Sequence, residues 1–168
     1  DDYIKRMLKS SDNIPLIAEK AQEWYQNNKQ DFLKCRRLYI IGYENCISAM
    51  LEGTLKISES VRYSTQCYEL EEFMHGIYHC IDQDTYMFYL GSGGQYFNRA
   101  IQLKRYFEEE RNAHCFLISN ENNNKKDFYF PFTNDKDFTV KEYDVPLQDL
   151  ARSCTADLEI DANIPSDP

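Results

Sequence analysis

A three-layer α/β/α domain built on a parallel sheet is the fold this sequence predicts, and three observations predict it. Leu38–Ile41, Thr85–Leu90 and His114–Ile118 are short runs of mainly apolar residues, suited to strands buried on both faces. The first two each run into a glycine-bearing loop and then into a stretch of capable helix formers. Strands of this kind alternating with helices indicate a parallel sheet covered on both sides. The 168 residues leave room for one such domain with a full-sized core and none for a second.

Taken in order, residues 1–13 read as a polar lead-in. Asp12-Asn13-Ile14-Pro15 then offers a cap and an early proline, and Ile14, Ile17, Ala18, Ala21, Trp24 and Tyr25 recur at helical spacing. A helix of about four turns therefore opens near Ile14. Leu38-Tyr39-Ile40-Ile41 is a strand ended by Gly42, and a helix follows from about Ile47 to Ser60. Thr85–Leu90 leads into Gly91-Ser92-Gly93-Gly94 and a helix from Tyr96 to about Arg111, with the strand His114–Ile118 directly after it. Residues 120–127 form an Asn/Lys-rich surface loop, and Phe128–Phe132 a late strand that Pro131 keeps at an edge. Pro146–Ala151 reads as a final helix. The tail 161–168 carries two prolines and little to bury, which leaves 14–160 as the single domain.

The formal charge of −9 opposes a polyanionic partner, because affinity for nucleic acid comes largely from clustered Lys and Arg neutralising phosphates. Nucleic acid and anionic membrane are not expected partners. The six cysteines, at 35, 46, 67, 80, 115 and 154, form no C-x-x-C pair and no zinc-like cluster, so they read as reduced and mostly buried thiols. No run approaches the roughly 18 apolar residues of a membrane span, and Asp1-Asp2-Tyr3 lacks the basic-then-apolar signature of a signal peptide. The cytoplasm is the expected location.

Chemistry is concentrated in Glu52-Gly-Thr-Leu-Lys56-Ile-Ser-Glu59 and in Glu72-Phe-Met-His75-Gly76, which places His75 sixteen residues after Glu59. On a helix, positions 52, 56 and 59 share a face, so two carboxylates and an ammonium stand in one stripe. A carboxylate in a partly dry pocket suits removal of a carbon-bound proton, since desolvation raises its pKa toward the working pH. Imidazole gives and takes protons near neutrality. Each residue also has a plainer reading. Glu59 is either a base or a solvated helix-end carboxylate, and His75 either a proton shuttle or a structural histidine. Lys56 either orients a substrate or pairs with Glu52 at i,i+4. Glu72 either orients the imidazole or caps the local turn, and Glu52 organises its helix and loop. His79 and His114 read as structural. Gly91–Gly94 is either an anion-cradling loop or a sharp turn that needs freedom from the Cβ restriction.

Leu38-Tyr-Ile-Ile-Gly42, then Glu52-Gly-x-Leu-Lys56-x-x-Glu59, then Glu72-x-x-His75-Gly76 resembles the second sugar-isomerase (SIS) module of double-SIS phosphosugar enzymes. These include the isomerase half of glucosamine-6-phosphate synthase and the fructosamine-6-phosphate deglycases. The resemblance runs from near Ile14 to the helix around Leu147. It implies a flavodoxin-like SIS fold, a phosphosugar ligand, and neither metal nor other cofactor. Glu59 would be the proton-transferring base, and His75 the ring-opening residue, reaching a neighbouring subunit's site in a homodimer. Lys56, Glu52 and Glu72 would lie on the substrate side. The Ser/Thr-rich loops that hold the phosphate belong to a first SIS module in this family, and no such loop follows either early strand here.

The sequence departs from the family at Ile77, where a proline is common, and at Gly42-Tyr43-Glu44-Asn45, where members have Gly-Arg-Gly. Synthase-type members also end with a sugar-holding lysine, and residues 162–168 contain none. Either the native chain continues past Pro168 or that lysine is not used. The leading expectation is half of an aldose-ketose phosphosugar isomerase, deaminase or deglycase acting on amino- or fructosamine 6-phosphates. The rival is a non-catalytic SIS module that senses a phosphosugar. The presence of both Glu59 and His75 favours the enzyme, since sensing needs no carbon base.

Overall fold

The computed structural model of the chain describes residues 2–121 and 124–164. Residues 122–123 of the predicted surface loop and 165–168 of the tail lie outside the described residues. Five strands form one sheet: β1 Arg37–Gly42, β2 Ser64–Glu69, β3 Tyr86–Leu90, β4 His114–Ser119 and β5 Phe128–Tyr129. Their spatial order is β2-β1-β3-β4-β5 and every pairing is parallel. The helices are α1 Asp2–Phe32, α2 Ile47–Lys56, α3 Leu70–Phe73, α4 Phe97–Arg111 and α5 Thr139–Asp157. A π-type stretch, Ile57–Val61, prolongs α2. Among the described residues no helix is long and apolar enough to cross a membrane.

Alternation of side chains along β1 divides the core in two. Leu38 and Ile40 join Trp24 of α1, Met50 of α2 and Leu147 of α5 on one face. Tyr39 and Ile41 pack with Phe73 of α3 and Phe107 of α4 on the other. This is the predicted three-layer α/β/α arrangement. The central strands β1, β3 and β4 are buried almost throughout, as a parallel sheet covered on both faces requires.

Three elements differ from the sequence expectation. α1 starts at Asp2, so Asp12–Pro15 lies inside the helix and does not open it. Its first turns are anchored from outside: Arg6 pairs with Asp135 at 2.7 Å and Asp137 at 2.6 Å, and Tyr3 meets Phe138 edge-on at 4.9 Å. α5 starts at Thr139, seven residues before Pro146. Buried Glu142 fixes that opening, because its carboxylate accepts from Asn13 Nδ2 at 2.8 Å and from the Thr133 amide at 2.8 Å. β2 was not anticipated. Ser64 and Gln66 are exposed along it because β2 is an edge strand with only β1 beside it, so it never shows the apolar run that marks its neighbours.

Aromatic side chains around β2 and α3 take part in the domain's own packing. Phe73 is fully buried, Tyr68 lies 6.2 Å from both the Tyr39 and Phe73 rings, and the Tyr63 hydroxyl donates to the Phe32 carbonyl at 3.0 Å. These side chains are engaged within the domain.

Candidate functional site

The Glu52-Gly53 pair sits where α2 meets α5. A Cβ at Gly53 would fall 3.0 Å from Leu147 Cβ and 3.1 Å from its Cγ, and Leu147 is fully buried. Glycine thus permits a helix-helix approach that any side chain would obstruct. The same contact brings Asp144 of α5 toward Glu52. Burial, and after it the Glu52 charge, push the Asp144 carboxyl up to about 6, and its buried Oδ1 has no hydrogen-bond partner.

Further along, Lys56 Nζ stands 2.7 Å from Glu59 Oε1 and 3.8 Å from Glu52 Oε1. The helix does bring the predicted acid-cation-acid row together, with the closer pairing at i,i+3 to Glu59. That hydrogen bond, followed by the Glu59 charge, raises the Lys56 pKa above its ordinary value. The Glu59 side chain is 47% exposed, so the chain by itself does not supply the dry pocket a carbon base needs. Of the row, Lys56 lines a groove of about 610 Å³, together with Ser60 and with Gln148, Arg152 and Thr155 of α5. Its size falls within the ligand range. Sequence reasoning missed Arg152 and Thr155 because it ended that helix at Ala151. The spacing of positions 148, 152 and 155 on one helical face was the signal available.

His75 follows α3. Capping there falls to Glu69, whose carboxylate accepts from the Glu71 and Glu72 amides at 2.8 and 3.1 Å. The capping alternative for Glu72 is therefore taken by Glu69, and Glu72 itself is exposed. The His75 amide donates to the Glu72 carbonyl at 3.0 Å, its side chain is exposed, and Gly76 turns the chain with φ +131°, a conformation that needs glycine. Since α2 packs on one face of the sheet and α3 on the other, the sheet separates Glu59 from His75 within one chain. Of the other two histidines, His114 stacks on Tyr86 at 4.3 Å, as a structural residue would, while His79 is exposed and lies tilted against Tyr78 at 4.1 Å.

The strand order reverses between β1 and β3, the usual ligand crevice of open α/β sheets. Here Gly91–Gly94 closes on Tyr43: a Cβ at Gly91 would fall on the Tyr43 ring, and the Tyr43 hydroxyl donates to the Gly93 carbonyl at 3.1 Å. The Glu44 carboxylate lies against Gly94. The sharp-turn reading of this loop fits, and the adjacent carboxylate opposes an anion.

No protein-family model matches the sequence, and neither does any curated protein. Solved structures do. A candidate sugar-binding protein from Salmonella typhimurium LT2 is 29% identical over 90% of this chain and 46% of its own, with TM-score 0.82. A candidate phosphosugar isomerase from Clostridium difficile 630 is 24% identical over 99% of this chain and 47% of its own, with TM-score 0.89. The C-terminal domain of glucosamine-fructose-6-phosphate aminotransferase from Francisella tularensis shares 14% identity over 86% of this chain and 43% of its own, with TM-score 0.68. The chain therefore has the fold of a sugar-isomerase (SIS) domain. Within that class it spans about half the length of each of these three solved chains.

Proposed function

We propose that the chain is the second half of a phosphosugar aldose-ketose isomerase, deaminase or deglycase acting on amino- or fructosamine 6-phosphates, with Glu59 and His75 contributed by different copies of a homodimer. The observation that carries this reading is the Glu52-Lys56-Glu59 row, whose Lys56 lines a ligand-sized groove. His75 moves a proton between the ring oxygen and the anomeric hydroxyl, which opens the sugar. Glu59 then removes the proton from the carbon next to the carbonyl as the carbonyl oxygen takes one up, leaving an enediol or, for an amino sugar, an enolamine; the proton returns to the neighbouring carbon as the other oxygen or nitrogen gives one up, so the carbonyl or imine moves by one position with no net change of electrons. Lys56, charged between two carboxylates, orients the sugar oxygens, while Glu52 and Glu72 take the positions on the substrate side. A first module of the same fold supplies the phosphate loop that the Gly91–Gly94 turn does not.

Incubating the polypeptide that carries this chain with amino- and keto-hexose 6-phosphates in heavy water tests the proposal. Deuterium should enter at C2 of the aldose and at C1 of the ketose. Glu59→Gln should lose that exchange while phosphosugar binding stays within about tenfold, or roughly 1.4 kcal/mol, because the amide keeps size and much of the hydrogen bonding but accepts no carbon-bound proton. Near-normal exchange by the variant would remove Glu59 as the base.

A further inference from the structure

Asp149 and Arg152 of α5 form an ion pair that the packing of the domain leaves unexplained. The Asp149 side chain is only 8% exposed, and its Oδ1 accepts from Arg152 Nη2 at 2.7 Å and from Nε at 3.2 Å. Its Oδ2 is buried and has no hydrogen-bond partner among the described residues. A surface helix pair such as Arg105 with Glu109 leaves both groups in water, where pairing changes stability little. Burying a carboxylate with one oxygen unsatisfied is unfavourable. The arrangement does fix a guanidinium. Arg152 Nη2 also donates to Ser153 Oγ at 3.3 Å, and among the described residues Nη1 has no protein partner. The arginine is 60% exposed and lines the same groove as Lys56, with Gln148 and Thr155 about one turn to either side on its face of α5. The carboxylate on the other wall, Asp161, is turned onto Asn163, accepting from its amide at 2.9 Å and its Nδ2 at 3.0 Å. An arginine held from behind by a buried carboxylate and open in front is suited to an oxyanion.

We infer that Arg152 receives a carboxylate of the substrate, which makes that substrate the 6-phosphorylated sugar adduct of an amino acid. The inference rests on the functional reading above and narrows it. That reading gives the 6-phosphate to a first module, so the phosphate does not call for Arg152. A plain keto- or amino-hexose 6-phosphate has no second anion to offer. An amino-acid adduct has one: its carboxylate hangs from the nitrogen on C1, next to the carbons on which Glu59 works, and Lys56 and Arg152 line one groove. Once the double bond lies between C1 and nitrogen, water adds to C1. The C1–N bond then breaks with its electron pair going to nitrogen, which takes a proton from the new hydroxyl, and the amino acid separates from the aldose 6-phosphate.

Calorimetric titration of the polypeptide that carries this chain tests this. The ligands are fructosyl-glycine 6-phosphate reduced at C2, which has no carbonyl to react, the matching glycinamide adduct, which lacks the carboxylate, and glucitol 6-phosphate, which carries the phosphate alone. The wild-type protein should hold the glycine adduct about tenfold tighter than the glycinamide adduct. Arg152→Met, which keeps the apolar stem and removes the charge, should erase that preference while the other two ligands bind as before. Arg152→Lys should retain part of it, since a charge remains. Equal wild-type affinity for the two adducts, binding of neither, or a preference that outlives Arg152→Met would overturn the inference. So would an equal loss of glucitol 6-phosphate in that variant, which would give Arg152 to the phosphate. The two readings also separate. A carboxylate preference without hydrogen exchange at C1 of the unreduced adduct keeps the subsite and removes the enzyme, whereas exchange with no preference for the carboxylate does the reverse.

Discussion

Asp144 shows how far single residues can be read from a sequence. Nothing around it marks it as unusual, and its environment arises only when α5 closes on Gly53 and sets the carboxyl against Glu52. The Glu52, Lys56 and Glu59 row, in contrast, was legible because a helical period alone places those side chains together. The raised Asp144 pKa has a consequence for stability. Its folded value of about 6 lies above the 3.8 of an unperturbed carboxyl, so the folded chain holds the proton more tightly. Stability contributed by that proton is full below pH 3.8 and is lost as pH rises through 6. Asp144→Asn removes the loss. Urea midpoints should show the variant more stable than wild type by about 1 to 2 kcal/mol at pH 7.5, a figure reduced for solvent screening of a partly exposed group, and by much less near pH 4. An equal difference at the two pH values would show that Asp144 titrates normally.

At the scale of elements, the strands buried on both faces were legible and the edge strand was not. β1, β3 and β4 carry their burial in composition, whereas β2 has a single neighbouring strand and shows polar residues to water. Proline misled the reading of both long helices. Pro15 and Pro146 suit a first turn, yet each lies well inside its helix, where anchors distant in sequence hold the preceding turns: Arg6 to Asp135 in α1 and Glu142 to Asn13 in α5. The α2-α5 contact makes its own prediction. Alanine at position 53 gains about 1 kcal/mol in helix propensity. The same methyl meets the Cβ and Cγ of buried Leu147, and forcing extra volume into a packed contact costs about 1 to 3 kcal/mol. The packing term should win, so Gly53→Ala should lower the thermal midpoint. A rise would mean that the two helices separate without penalty.

For the whole molecule, the three-layer fold was legible because its pattern repeats along the chain, while the placing of Glu59 and His75 apart was expected only through the family resemblance, because it depends on which face of the sheet each helix takes. That division is the centre of the account: the π-type end of α2 carries Glu59 on one face and the turn after α3 carries His75 on the other, and the proposed function has a second copy join them. Mixing two inactive variants of the polypeptide tests it most directly. Glu59→Gln and His75→Asn copies, each unable to turn over cyclic hexosamine 6-phosphate, should regain about a quarter of wild-type turnover when dissociated together and reassociated in equal amounts. Half of the dimers are then mixed, and each mixed dimer holds one intact site of two. Turnover that stays at the level of the separate variants would contradict a site shared between copies.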